Sequence, residues 1–304
     1  MNCFVTGGLG FLGSHISMEL VRQGHNVTIY DIEPEIPKHL GSCRVINGDV
    51  RNYNGLVKGL EGMDIVFHFS GLLGTSELFE NPHEAIDTNI KGALNVILAC
   101  REIGIRKILF PTKPNEWHNV YSVTSQAVGK LGLSYNEFEN FDIRILKFWN
   151  IYGPYQKIQP VRKAIPLFII QALENKPIEI YGDGTQYIEL VYVKNFAKIA
   201  IDFGLHIPKV KNKTYEIHSR HSLTINEIAK TILNLTGSSS EINHISMRKG
   251  ETSEIVFRKD TNISEILHVA KETHLYEGLE KTISFYKEIP QNDRLQILRY
   301  YNYA

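Results

Sequence analysis

The stretch "CFVTGGLGFLGSH", residues 3–15, decides the fold class of this 304-residue chain. Four residues of strand type are followed by glycines at every third position and then by a helix-forming segment. Glycines at this spacing permit a tight turn, and the N–H groups at the start of the helix attract an anion such as a pyrophosphate. The stretch therefore predicts a dinucleotide-binding turn, with contacts from Gly7, Gly10, Phe11, Leu12 and Gly13.

A second feature, Asp31, indicates which dinucleotide the turn binds. Asp31 ends the next predicted strand, "NVTIY", and "GDVR" follows the third strand. A carboxylate about 20 residues after the glycines is placed to accept hydrogen bonds from an adenosine ribose. It would repel a 2′-phosphate, and the segment "YDIEPEIPK" offers no arginine to bind one. We therefore expect NAD rather than NADP.

Strand-length apolar runs alternate with helix-period segments as far as residue 150. The runs are "CFVT", "NVTIY", "RVIN", "DIVFHF", "KILF" and "DIRILKFW", with helices from Ser14, over Pro82–Arg101 and over Tyr121–Phe138. Such βαβα alternation predicts an α/β fold of the Rossmann type, in which helices cover both faces of a doubly wound parallel sheet.

The pattern becomes irregular after Gly153, where Pro, Tyr and Gly punctuate the chain. Helices are predicted near Ala164–Glu174, Ile225–Leu235 and Tyr276–Tyr286. We expect an NAD-binding domain of residues 1–150, rejoined by about 190–220. A smaller C-terminal α/β substrate-binding region should comprise 151–189 and 221–290, and 291–304 should form a tail packed on its own subunit.

The composition excludes several function classes. Lys plus Arg equals Asp plus Glu at 33 each, so no net charge draws the chain to nucleic acid or an anionic membrane. Cys3, Cys43 and Cys100 show neither zinc-ligand spacing nor a disulfide framework, so no metal is expected. The apolar runs are too short for a bilayer, and no charged leader precedes the first strand. We expect a cytoplasmic protein with a small-molecule partner.

Segments along nearly the whole chain carry a family resemblance. They include "VTGGLGFLGSH", "GDVRN", "VFHFSG", "NPHEAIDTNIKGALNVILACRE", "ILKFWNIYGPYQ", "YGDGTQYIELVYVKNFA", "LTINEIA" and "RKGE". With these segments the chain resembles the extended short-chain dehydrogenase/reductase family, specifically its nucleotide-sugar epimerases and dehydratases. The resemblance implies a Rossmann-type fold, NAD as cofactor and a nucleotide-sugar substrate.

The resemblance also implies roles for individual positions. Residues that should contact the cofactor are Asp49 and Val50 at the adenine, Phe69, Ser70 and Gly71 behind the fourth strand, Asn89 and Tyr121. Asn150 and Arg248 should bind the substrate diphosphate, a group that a fork-shaped guanidinium suits well. Of the loop after the fourth strand, Leu72, Leu73, Thr75 and Ser76 should edge the sugar, with ordinary loop packing as the alternative.

The catalytic positions depart from the family pattern. Relatives use a tyrosine base, a lysine one helical turn later and a serine or threonine after the fifth strand. Tyr121 fits the tyrosine, but Ser125 stands where the lysine belongs and Lys113 where the serine belongs. We hypothesise that Lys113 lowers the pKa of Tyr121, while Thr112 or Ser125 binds the substrate hydroxyl or the ribose. The alternative is that Lys113 points to solvent and the protein binds NAD without turnover.

A further departure affects the substrate end. Ile188 replaces an arginine that helps to bind the diphosphate in many relatives, and Glu189 replaces the aspartate after it. Lys147, Arg162 and Lys163 are the basic residues that could compensate, and Lys147 is the first candidate because its strand leads to Asn150.

The favoured function is an NAD-dependent UDP-sugar 4-epimerase that oxidises C4 transiently with Tyr121 as base and returns the hydride internally. One alternative is an NDP-sugar dehydratase, for which Glu116 would be an acid/base partner. The other is a non-catalytic protein that binds NAD or a nucleotide-sugar. The helices Pro82–Arg101 and Tyr121–Phe138 match those through which many relatives form homodimers.

Overall fold

The structure is a computed structural model that describes residues 1–114, 117–207, 214–217, 219, 222–251, 264–267 and 273–302, with backbone alone for 264–267. The chain forms two compact units. The first comprises Met1–Phe148, Lys194–His218 and Asp260–Val269, and the second comprises Trp149–Val193, Ser219–Lys259 and Ala270–Ala304. Among the described residues, none of the helices has the length and apolar composition that crossing a bilayer requires.

The strands are numbered in chain order. They are β1 (Asn2–Thr6), β2 (Asn26–Asp31), β3 (Arg44–Asn47), β4 (Ile65–His68), β5 (Lys107–Thr112), β6 (Asp142–Phe148), β7 (Asn150–Tyr152), β8 (Ile178–Tyr181), β9 (Tyr187–Tyr192), β10 (Thr214–Ile217), β11 (Ser222–Thr224), β12 (Ile242–Ile245) and β13 (Ser264–Leu267).

The helices follow the same convention. They are α1 (Phe11–Arg22), α2 (Tyr53–Gly59), α3 (Pro82–Ala85), α4 (Gly92–Ile103), α5 (Val120–Phe138), α6 (Ala164–Leu173), α7 (Val193–Leu205), α8 (Ile225–Thr236), α9 (Leu275–Glu288) and α10 (Gln291–Tyr300).

A wholly parallel sheet organises the first unit. Among the described residues its eight strands run in the order β3-β2-β1-β4-β5-β6-β10-β13. Strands β1 and β4 are buried almost throughout, as expected for strands covered by helices on both faces. The strand order reverses between β1 and β4: β2 and β3 lie on one side of β1, and β4 and the later strands lie on the other. In open α/β sheets, ligands bind at the carboxyl ends of the strands at such a point. The predicted Rossmann-type fold is confirmed.

The helix predicted over Pro82–Arg101 is not one regular α-helix. It consists of α3, a wider π-helical segment over Ile86–Lys91, and α4. Asn89 lies in the π segment and is buried, and its side chain makes three hydrogen bonds outside the helix. A π segment is often found at a functional position, where it re-aims one side chain without ending the helix.

The second unit contains two smaller sheets. Strands β11, β9 and β7 form one, and β12 pairs in parallel with β8 in the other. Helix α6 is buried along most of its length, and α8 begins with a capping box formed by Thr224 and Glu227. Helix α10 is joined to α6 by an ion pair in which Arg294 Nε lies 2.6 Å from Glu174 Oε1. The segment from Gln291 to Tyr300 therefore packs within its own unit.

Candidate cofactor and substrate sites

The glycine-rich turn joins β1 to α1. Gly7 has a φ of +67°, and a Cβ at this position would lie 2.5 Å from the carbonyl carbon of Phe69. A Cβ on Gly13 would lie 2.1 Å from the Gly7 carbonyl oxygen. Any larger residue at either position would push the turn away from β4 or open it, so both glycines are required sterically.

Helix α1 begins without a side-chain cap. Its N-cap residue is Gly10, which has no side chain to accept a hydrogen bond from the first turn. The N–H groups of Phe11, Leu12 and Gly13 are therefore available to an external acceptor, and the helix dipole favours an anionic one. The turn fits the pyrophosphate of a dinucleotide, as the glycine spacing predicts.

Asp31 lies at the carboxyl end of β2 and is 7% exposed. One carboxylate oxygen accepts the N–H of Leu9 at 2.8 Å, and the other accepts the N–H of Glu33 at 3.1 Å. These bonds orient the carboxylate beside the glycine-rich turn. Each carboxylate oxygen can accept more than one hydrogen bond, so Asp31 keeps capacity for ribose hydroxyls.

The segment that follows β3 is expected to contact the adenine, and hydrogen bonds hold it in place. The Asp49 carboxylate accepts hydrogen bonds from the Arg51 guanidinium, and these bonds lower its pKa. Val50 is buried, and its carbonyl oxygen accepts the Asn95 side-chain amide at 3.0 Å. A Cβ on Gly92 would lie 2.7 Å from a Val50 methyl group, so the start of α4 packs directly against this segment.

The residues behind β4 are connected by hydrogen bonds that the sequence did not indicate. The N–H groups of Phe69 and Ser70 bind the carbonyl and hydroxyl oxygens of Thr6 at 2.9 and 3.3 Å. The same hydroxyl lies 2.8 Å from Nδ1 of His68, which is buried. Burial lowers the pKa of His68 to about 3, so the ring is neutral at physiological pH.

Asn89 links the loop after β4 to helix α5. Its side-chain oxygen accepts the Leu72 N–H at 2.7 Å, while its amide donates to the Leu72 carbonyl at 3.0 Å and to Thr124 Oγ1 at 3.1 Å. A Cβ on Gly71 would lie 3.2 Å from the Asn89 oxygen. Asn89 therefore positions the loop that contains Gly71, and a direct contact with the cofactor stays a prediction.

Tyr121 lies in the first turn of α5, which Asn119 caps by accepting the Ser122 N–H at 2.8 Å. Burial raises the pKa of Tyr121 to about 12. This direction is opposite to the one that a neighbouring lysine would produce. In this structure the Tyr121 phenol is therefore protonated at neutral pH.

The two positions with exchanged residue types are adjacent. The Lys113 N–H donates to Ser125 Oγ at 3.0 Å, so the end of β5 contacts the face of α5 one turn after Tyr121. The Lys113 ammonium lies 4.8 Å from the centre of the Phe148 ring. Thr112 is 4% exposed, and its hydroxyl has no hydrogen-bond partner among the described residues. A buried hydroxyl at the carboxyl end of a parallel strand is a candidate for contact with a ligand.

Two other predicted positions lie in loops. Thr75 and Ser76 are half-buried, and the N–H and hydroxyl of Ser76 both lie 3.2 Å from a Glu77 carboxylate oxygen. Glu116, considered for a dehydratase, lies outside the described residues.

The substrate positions of the second unit show one group that the sequence did not predict. Asn150 is exposed at the start of β7. The Arg248 guanidinium lies over the ring of Tyr181, 5.4 Å from its centre, and the Arg162 guanidinium lies 4.6 Å from the same ring. Tyr181 begins the segment "YGDGTQYIELVYVKNFA", but nothing in the sequence places it beside Arg162 and Arg248, so only the fold reveals this grouping.

Comparison with known proteins identifies the family. The profile of the NAD dependent epimerase/dehydratase family matches residues 3–217. The chain belongs to this family. Its members are enzymes that depend on NAD, and the glycine turn, the α1 N-terminus and Asp31 fit that cofactor. The NAD prediction is therefore confirmed.

Curated relatives in this family differ in reaction. The chain is 31% identical to a UDP-N-acetyl-alpha-D-glucosaminuronate decarboxylase of Bacillus cytotoxicus, with 96% of this chain and 99% of the relative covered. It is 27% identical to a putative UDP-glucose 4-epimerase of Methanocaldococcus jannaschii, with 93% and 97% covered. The solved structure of MoeE5 in complex with UDP-glucose and NAD superposes with a TM-score of 0.81 at 25% identity, covering 94% and 99%.

Proposed function

We propose that the chain is an NAD-dependent nucleotide-sugar epimerase that acts at C4 of a UDP-sugar, with Tyr121 as the base. The observation that carries the proposal is the hydrogen bond from the Lys113 N–H to Ser125 Oγ. It indicates that the exchanged lysine and serine occupy adjacent positions, one turn from Tyr121 and next to Thr112. The residue types used by the family are thus retained, with the lysine directly after β5 instead of on α5.

Tyr121 takes the proton of the C4 hydroxyl while the C4–H bond breaks, and it returns that proton when the 4-keto sugar is reduced. Bound NAD supplies the acceptor and later the donor of the C4 hydride. The Thr112 hydroxyl donates a hydrogen bond to the C4 oxygen, and Ser125 holds the end of β5 against α5. Proton and hydride are both returned, so the sugar changes configuration without net oxidation.

The proposal requires a cation near Tyr121, because a phenol with a pKa of about 12 is a poor base at neutral pH. A charge about 4–5 Å away contributes roughly 3–4 kcal/mol at an effective dielectric constant of 20, which strongly favours the phenolate. Lys113 has the flexible stem to move its ammonium from Phe148 to the phenol oxygen. We propose that it does so when cofactor and sugar are bound.

A second candidate is decarboxylation of a UDP-linked hexuronic acid. The 31% identity to the Bacillus cytotoxicus decarboxylase over nearly the full length favours it. The first step is the same: Tyr121 takes the C4 proton as C4 is oxidised. The resulting β-keto acid then loses carbon dioxide, and a solvent proton enters at C5. The C4 hydride and the Tyr121 proton then return to the 4-keto pentose, so the only net change is the loss of carbon dioxide.

The test is NMR of the purified protein in deuterium oxide with UDP-glucose, UDP-glucuronate, UDP-N-acetylglucosamine and its uronic acid, without added NAD. We expect a new C4 epimer that carries no deuterium at C4 or C5. Loss of C6 as carbon dioxide with deuterium at C5 would establish the decarboxylase. Loss of water with deuterium at C5 would indicate a dehydratase.

Two controls make a negative result informative. Tyr121→Phe should abolish turnover and leave NAD content unchanged, as measured by chromatography of the denatured protein. Wild-type protein that binds NAD and UDP but converts none of the four sugars would contradict the epimerase proposal and favour a non-catalytic binding protein.

A further inference from the structure

Two guanidinium groups share one aromatic ring in the second unit. The central carbons of Arg162 and Arg248 lie 4.6 and 5.4 Å from the centre of the Tyr181 ring, so they are at most about 10 Å apart. Arg162 precedes α6 and Arg248 follows β12, while Tyr181 ends β8. Three distant parts of the chain thus place two permanent positive charges within about 10 Å of each other.

Both guanidinium groups are held in fixed positions. Arg162 donates a hydrogen bond of 2.6 Å from Nη1 to the Tyr181 hydroxyl, and its side chain is 14% exposed. The Arg248 side chain is 19% exposed and forms an ion pair with Glu251. A guanidinium that is partly withdrawn from water and already oriented binds an anion with less entropy loss than a mobile surface arginine.

The charge of the pair is balanced by carboxylates on the same unit. Glu179 Oε2 lies 3.6 Å from Arg162 Nη2, and Glu251 pairs with Arg248. A diphosphate carries more negative charge and more acceptor oxygens than either carboxylate, and its geometry suits two planar donor forks. It therefore competes for both guanidinium groups at once.

The position that supplies the second cation in many relatives is apolar here. Ile188 lies in β9, is half-buried and pairs with Leu223 of β11. Glu189, the next residue, accepts the N–H of Ser219. This strand therefore contributes no positive charge to a diphosphate.

We propose that Arg162, aligned with Arg248 by the ring of Tyr181, is the second diphosphate-binding cation of this chain and replaces the arginine lost at Ile188. The inference deepens the proposed function, since it rests on a nucleoside diphosphate being part of the substrate. From the sequence alone, Lys147 is the first candidate for this cation, and Lys163 is equivalent to Arg162. Arg162 is favoured because it shares its ring with Arg248.

The test measures binding of UDP, UMP and uridine by calorimetry to the full chain saturated with NAD. Arg162→Gln should weaken UDP binding about 10- to 100-fold and leave uridine binding unchanged. Lys163→Gln is the matched control, since it removes the same charge one residue away, and it should change UDP binding less than threefold. Tyr181→Phe keeps the ring and loses the hydroxyl, so its effect should be smaller than that of Arg162→Gln.

Steady-state kinetics separates binding from chemistry. Arg162→Gln should raise KM for the converted sugar with kcat little changed, because the diphosphate is bound equally in ground and transition states. Equal losses for the Arg162 and Lys163 variants, or none for Arg162, would overturn the inference while leaving the substrate class intact. Binding of UDP without any turnover in wild type would defeat the proposed reaction and leave the Arg162 result valid.

Discussion

At the scale of single residues, Lys113 and Ser125 occupy adjacent positions, and the family resemblance implies that their residue types are exchanged. Both residue types remain, and a hydrogen bond joins the two positions directly. The effect of a cation on the pKa of a phenol depends on the distance between the charge and the phenol oxygen. The lysine can therefore be attached to either element, if its ammonium reaches the phenol oxygen. The pKa of about 12 for Tyr121 describes the protein with the Lys113 ammonium on Phe148.

The pH dependence of turnover tests this exchange. In the proposed reaction the Tyr121 phenolate is the base, so activity should rise with pH as Tyr121 loses its proton. The proposed role of Lys113 is to favour the phenolate, so in Lys113→Met this rise should shift upward by more than one pH unit and the rate at pH 7.5 should fall at least tenfold. Lys130→Met, which removes an exposed lysine of α5, is the control and should retain the wild-type profile. An unchanged profile in Lys113→Met would refute the relocated lysine.

His68 makes a second prediction, about stability. The folded protein holds this ring neutral down to a pKa of about 3, whereas the unfolded chain protonates it near 6.5. Unfolding therefore takes up a proton below pH 6.5, so this contribution to stability is complete above 6.5 and is lost progressively as the pH falls toward 3.

Urea unfolding at pH 7.5 and pH 5.0 measures the effect. His68 should account for about 2 kcal/mol of the stability lost between these values. In His68→Gln the free energy of unfolding should fall by about 2 kcal/mol less than in wild type between these two pH values. His118→Gln, at an exposed position, should lose as much stability as wild type. If the two variants have equal pH dependence, His68 is not the group responsible.

At the scale of elements, the packing of α5 on the sheet depends on two glycines. A Cβ on Gly132 would lie 2.8 Å from the Ile145 side chain and 2.9 Å from that of Ile143, both on β6. A Cβ on Gly129 would meet its nearest neighbour, a methyl group of Thr112, at 3.4 Å. The helix that contains Tyr121 therefore lies closer to the sheet at Gly132 than at Gly129.

The two glycines respond differently to alanine. Gly129→Ala should raise the free energy of unfolding by up to about 1 kcal/mol, because alanine favours the helix and fits the available space. Gly132→Ala should lower it by about 1–2 kcal/mol through overpacking, despite the same gain in helix propensity. Chemical denaturation of both variants gives the comparison, and equal shifts of the same sign would show that the close approach has no energetic effect.

At the scale of the whole molecule, the expected homodimer stays a prediction. Helix α5 packs beside the π segment that precedes α4, and each exposes an apolar residue. Val123 is 59% exposed and Ile86 is 48% exposed. These are the helices that the family resemblance implies for a dimer interface, and a partner would cover both side chains.

Light scattering after size exclusion tests the assembly. Wild type should have the mass of two chains at micromolar concentration, and Val123→Glu should have the mass of one, because a buried unpaired carboxylate opposes association. Tyr276→Glu, which places the same charge on the exposed apolar position of α9, should leave the dimer intact. A wild-type protein that is monomeric at this concentration would remove the basis for the prediction.

The fold and the cofactor follow largely from local sequence signals. The glycine spacing from Gly7 to Gly13, the alternation of strands and helices, and Asp31 after β2 each act over a short stretch of chain, so they are visible without a structure. The sequence does not predict the π segment around Asn89. The Asn89 side chain in this segment forms its hydrogen bonds with Leu72 and Thr124, which are far away in sequence.

By itself, then, the sequence determined an NAD-binding parallel α/β fold and the residue types available for catalysis. Only the tertiary structure decided that Lys113 contacts Ser125, that burial raises the pKa of Tyr121, and that two arginines flank one tyrosine. The physical reason is the distance along the chain over which each effect acts. Helix and strand periodicity is local in sequence, and it shows which face of an element is buried. Desolvation and the convergence of Arg162, Tyr181 and Arg248 depend on contacts between segments that carry no shared pattern.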